Sequence, residues 1–128
     1  MQRAYRPLAI TIGLIGLFVA TSLAVGHDGW GVPAANEQAI GEVSRWCERV
    51  NGGFLREPVN TLGNLGFVVA GLAMLVVLAR EAAASEPATN RFIGNSSISL
   101  LYASATLFLG PGSMVMHGTH TFLSLIHI

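Results

Sequence analysis

Apolar positions gather in three uncharged stretches: Pro7 to His27, Pro58 to Ala79, and Phe92 to the last residue. Each holds about 18 or more mostly apolar residues, roughly what a helix needs to cross the hydrocarbon core. The pattern predicts transmembrane helices over residues 8–25, 60–79 and 97–116, in an all-α, polytopic membrane helix bundle. A soluble domain of this length would carry amphipathic helices with charged faces instead.

The polar stretches between them set the topology. Arg3 and Arg6 precede the first apolar run and place the N-terminus in the cytoplasm. The basic start and the small residues near Ala24-Val25-Gly26 leave a cleaved signal peptide as the alternative, but the run is longer than a usual signal core and reads rather as a retained helix. Residues 26–57 then form an outer connector, opened as irregular chain by Gly26, Gly29, Gly31 and Pro33. Glu37 to Val50 is expected to form a short helix with Ala39, Ile40, Val43 and Trp46 on one side, before an Asn51-Gly52-Gly53 turn. The second helix runs inward from Pro58, a cytoplasmic loop spans 80–91 and includes Pro87, and the third helix returns outward. The Asn95-Ser96-Ser97 sequon falls on the inner side, where no glycan is expected.

Composition agrees with a membrane setting. The chain is 52% hydrophobic and 11% charged, with mean hydropathy +0.56. Seven arginines balance seven acids and there is no lysine. That balance offers neither a nucleic-acid footprint nor a polybasic lipid patch. The lone Cys47 excludes an intrachain disulfide and any multi-cysteine zinc or iron–sulfur site.

Candidate chemistry lies at the helix ends. Ser113 and His117 are four residues apart, on one face of a helix and one turn from each other. His117 is suited to ligate zinc, and Ser113 to hydrogen-bond a substrate or a metal-bound water. The plainer alternative is an interfacial histidine and a serine bonded to the Leu109 carbonyl. Gly110-Pro111-Gly112 just before them frees the Leu107 carbonyl and lets other groups approach. His120 stands three residues beyond His117, a spacing open to metal chelation. Glu48 and Glu57 are oxygen ligands of the kind calcium prefers, or else loop acids paired with Arg45, Arg49 or Arg56. Asn60 and Asn64 are placed to cap or cross-link helices, and Gly63, Gly66, Ala70 and Gly71 give a small-residue packing face. The topology brings Glu48, Glu57, Asn60, Ser113 and His117 to the same outer membrane face.

Two ordered motifs resemble a known family. Trp46-Cys47-Glu48 followed by Glu57-Pro58-Val59-Asn60-Thr61-Leu62-Gly63-Asn64 is similar to the opening signature of the alkaline ceramidases, Asp-Trp-Cys-Glu then Glu-x-x-Asn-Thr-x-Ser-Asn. Gly112-Ser113-Met114-Val115-Met116-His117-Gly118-Thr119 resembles their next signature, Gly-Ser-x-x-x-His-x-Thr. The likeness covers about residues 45–121, and the first helix has no clear counterpart.

The resemblance implies a seven-helix-type intramembrane zinc hydrolase, multi-pass in a bacterial inner membrane. It would split a ceramide-like lipid amide into a sphingoid base and a fatty acid. His117 would be one of three zinc histidines, with Ser113 beside the metal. The Trp46 carbonyl, Glu48 and Glu57 would match the family's calcium site. Arg45 stands where the family has an aspartate, a charge that opposes a cation there, and Gly63 replaces a serine. The family's later His-x-x-x-His pair has no equivalent in this sequence. The expectation is therefore a truncated chain, inactive alone, from a membrane hydrolase. The alternative is a non-enzymatic membrane protein: a subunit, a receptor-like module or a metal-binding helix bundle.

Overall fold

The computed structural model describes residues 3–84, 92 and 94–121. Four helices occur in order: α1 (Arg6–Gly26), α2 (Pro58–Gly63), α3 (Leu65–Ala83) and α4 (Ser97–Thr119). Among the described residues, α1, the α2–α3 unit and α4 are long and apolar enough to cross a membrane. All three expected spans are present, each extending somewhat beyond its expected bounds. Residues 85–91, with Pro87 and most of the expected cytoplasmic loop, lie outside the described residues.

The expected second helix is divided at Asn64. Its side-chain Nδ2 donates to the Asn60 carbonyl at 2.7 Å, the acceptor that its own backbone N–H would use in a continuous helix. The Asn64 N–H turns to Thr61 O at 3.3 Å. Pro58 supplies the first helical residue of α2, where its missing N–H costs nothing. At the far end, α3 continues past residue 79 to Ala83, and Glu81 accepts from the Gly94 N–H at 2.8 Å. That bond ties the end of α3 to the approach to α4.

The α3–α4 pair forms the apolar centre around Leu75, Leu78, Ala103 and Leu107. Close approach comes from Gly71, where a Cβ would stand 2.4 Å from that of Leu107 and 2.7 Å from its Cα. Gly110 does the same against Val68 from the other helix, at 2.6 Å. Gly63 and Gly66 face open space, so the small-residue contact is narrower than the expected face. Leu8 and Ile15 of α1 touch this centre, but only 6% of the α1 span is buried. The rest of that apolar surface is left to lipid.

α4 begins at Ser96, whose hydroxyl caps the Ser99 N–H at 3.2 Å. Pro111 lies inside the helix without ending it. The helix stops at His120, in left-handed backbone at φ 49°.

The expected helix over Glu37–Val50 does not form. The segment folds back on itself through Gly41 N–H to Val50 O (2.8 Å), Val50 N–H to Glu42 O (2.9 Å) and Ser44 N–H to Glu48 O (2.8 Å), with Cys47 at φ 63° in the reversal. Ala39, Ile40, Val43 and Trp46 all remain exposed. A short helix draws its stability from burying an apolar face, and here that face has nothing to pack on.

Candidate functional site

Two backbone bonds join the connector to the end of α4: Arg56 N–H to Gly118 O at 3.0 Å and Glu57 N–H to His117 O at 3.1 Å. They clamp the residue before α2 against the last turn of α4. Two sequence motifs distant along the chain therefore meet side chain to side chain.

Glu57 is the centre of the contact and is completely buried. Its Oε2 pairs with Nδ1 of His117 and accepts from Asn60 Nδ2 at 3.2 Å. Its Oε1 lies 3.2 Å from Nε2 of His120. Nδ1 of His120 lies 3.4 Å from Oε2 of Glu37, whose Oε1 is 3.4 Å from Nη2 of Arg45. Neither ring nitrogen of His120 is aligned for a hydrogen bond, so its links to the two carboxylates are those of charge proximity. Burial pushes the Glu57 carboxyl up, but bonding from Ser44, His117 and Asn60 and the charge of His120 outweigh it. The group is held below its ordinary value.

Most of the residues expected to converge do meet at one end of the spans. The Trp46 indole and the His117 imidazole meet in a T-shaped contact, with ring centroids 5.5 Å apart and planes at 80°. Glu48 receives the Val59 N–H on Oε1 and the Asn60 N–H on Oε2, both at 2.8 Å, and so caps α2 from the connector. The Trp46 carbonyl accepts from Asn60 Nδ2 at 3.3 Å. The three oxygen groups assigned to calcium by the resemblance thus gather around Asn60, whose N–H groups reach every one of them. Arg45 is tied to Glu37 and to the Asn36 carbonyl, the latter at 2.9 Å.

Ser113 is half-buried one turn before His117. Among the described residues its hydroxyl has no hydrogen-bond partner, so the expected alternative of a bond to Leu109 is not seen. His117 itself is buried, and with Nδ1 held by Glu57 it keeps Nε2 for another partner. That disposition suits one imidazole ligand of a metal. His117 and His120 flank one carboxylate, and no group of three or more ligating side chains among the described residues is arranged to hold a metal ion.

Glu37, Ser44 and the buried setting of His120 are additions that sequence reasoning missed. The spacing of His117 and His120 was visible, but nothing in the sequence marks Glu37 or Ser44. Behind the same turn of α4 lies an apolar cavity of about 460 Å³, walled by residues that include Phe18, Leu23, Trp30, Phe54, Met114 and Gly118. Trp30 is fixed there by Nε1 donating to Phe54 O at 2.7 Å.

Comparison with protein-family models, curated proteins and solved structures finds no match to this chain. What stands is an all-helical membrane-type chain with a buried Glu–His cluster at one end of its spans.

Proposed function

We propose that the chain is part of an intramembrane, zinc-dependent hydrolase of lipid amides, with a ceramide-like lipid as the substrate class. The observation that carries the reading is the contact between Glu57 and His117. It joins the two motifs that resemble the alkaline ceramidases, at the end of a membrane span.

In this reading His117 offers Nε2 to zinc, and Ser113 is free to hydrogen-bond the substrate carbonyl or the attacking water. Bound zinc would supply an acidified water and polarise the amide carbonyl. Catalytic zinc takes three protein ligands as a rule, so His117 needs ligands beyond the described residues. The apolar cavity against Met114 and Gly118 supports a lipid rather than a water-soluble amide. Calcium is no part of the proposal, because Asn60 already engages its expected donors.

The test is fatty-acid release from ceramide in mixed micelles by the purified protein. Activity should be abolished by a zinc chelator and by His117→Ala. Chelator-insensitive release, or full activity in folded His117→Ala, refutes the zinc role. Absence of release from ceramide and from other lipid amides refutes the reaction.

A further inference from the structure

We infer that Glu57 is a positioning residue for His117: it keeps the imidazole proton on Nδ1 and leaves Nε2 unprotonated. The inference rests on the proposed reaction only for what Nε2 would face.

The argument starts from the chemistry of the pair. An ionised carboxylate only accepts hydrogen bonds, so the nitrogen against it must carry the proton. A neutral imidazole with Nδ1–H has its lone pair on Nε2. Glu57 Oε2 already accepts from Asn60 Nδ2 at 3.2 Å, which places it as an acceptor toward Nδ1 of His117 as well. Ligating histidines commonly give their other N–H to a carboxylate, which fixes ring orientation and tautomer.

The setting allows little else. Glu57 cannot swing away: its N–H goes to His117 O at 3.1 Å, and its carbonyl accepts from Thr61 N at 2.8 Å and Thr61 Oγ1 at 2.6 Å. Its two carboxylate oxygens are divided, Oε2 toward His117 and Asn60, Oε1 toward His120. His120 is held in turn, since its carbonyl accepts from the Ala34 N–H at 3.0 Å and its Nδ1 faces Glu37. The T-shaped contact with Trp46 crowds the imidazole and opposes a ring flip that would exchange the two nitrogens.

The experiment reads the tautomer directly. The full 128-residue chain, labelled with ¹⁵N-histidine in detergent micelles, is examined at pH 8 by two-bond ¹⁵N–¹H correlation, with His117 assigned by His117→Asn. The expected pattern is Nδ1–H with an unprotonated Nε2. Glu57→Ala should move the tautomer ratio toward Nε2–H by about 10- to 100-fold, the range of a charge-assisted hydrogen bond. Glu57→Gln keeps the shape and a carbonyl acceptor, so Nδ1–H should remain the major form. A proton on Nε2 of His117 in the unsubstituted chain overturns the inference, whether or not Glu57→Ala folds. So does an unchanged ratio in folded Glu57→Ala, or Nε2–H as the major form in Glu57→Gln. The spectra do not depend on hydrolysis, so this inference and the proposed reaction can fail separately.

Discussion

Replacing Glu57 by alanine should destabilise the chain more than any other single change in the connector. The side chain is completely buried and serves His117, Asn60 and His120 at once. Glu57→Ala leaves the buried His117 Nδ1 without its acceptor, leaves Asn60 Nδ2 with the Trp46 carbonyl alone, and removes the carboxylate beside His120. Breaking a buried ionic cluster from one side costs about 3–5 kcal/mol, because the remaining partners stay out of water. Glu57→Gln keeps a carbonyl for His117 Nδ1 and loses only the charge, which should cost about 1–3 kcal/mol. The assay is reversible unfolding of the full chain in mixed detergent micelles, followed by Trp fluorescence. Trp30 and Trp46 both report on the connector. An alanine variant within about 1 kcal/mol of the unsubstituted chain refutes the reasoning. A glutamine variant as costly as alanine also refutes it, since the acceptor would then count for nothing.

Glu48→Ala removes the acceptor of two backbone N–H groups at the start of α2 and should cost about 1–2 kcal/mol in the same unfolding assay. Gly71→Ala drives a methyl into Leu107 and should cost about 1–3 kcal/mol, whereas Gly66→Ala meets open space and should be neutral or stabilising by up to about 1 kcal/mol. Ser113→Ala should leave stability within about 0.5 kcal/mol while lowering lipid-amide hydrolysis by the purified protein. Acid should weaken the connector first. The folded Glu57 carboxyl lies below its ordinary value of 4.5, so its contribution is fully present above that pH. It is lost as pH falls through the folded value, and unfolding titrations from pH 7 to 3 should show this loss in the unsubstituted chain and not in Glu57→Gln.

The spans were legible because hydropathy and length act along the chain and need no partner. Their ends were less so. Asn60 and Asn64 read as capping or cross-linking residues, but the sequence does not show that the Asn64 side chain takes the Asn60 carbonyl and divides the helix. The apolar set Ala39, Ile40, Val43 and Trp46 has helical spacing, yet periodicity cannot show that no surface awaits it. The meeting of Glu48, Glu57, Asn60 and His117 followed from topology, since antiparallel spans bring both motifs to the same end. Ser44 and Glu37 could not be found that way. They reach the site through a reversal at Cys47 and a turn near Asn36, both products of tertiary bonding rather than local pattern.

The buried polar cluster also explains how a 26–57 connector orders itself with so few apolar contacts. Val50 is its single fully buried large aliphatic side chain among the described residues. Ser44, Arg56 and Glu57 are buried as well, and they do the work that a hydrophobic core does elsewhere. Arg56 reaches the Gly31 carbonyl, Glu48 caps α2, and Glu57 binds the end of α4. Such a network is sensitive to each member, because every partner removed leaves another buried polar group unpaired. It is also specific, since each polar atom accepts few partners in few directions. An apolar connector beside a bilayer would compete with lipid for its own burial. A polar one has no such competitor, and its order depends on the few groups that complete it, His117 and His120 among them.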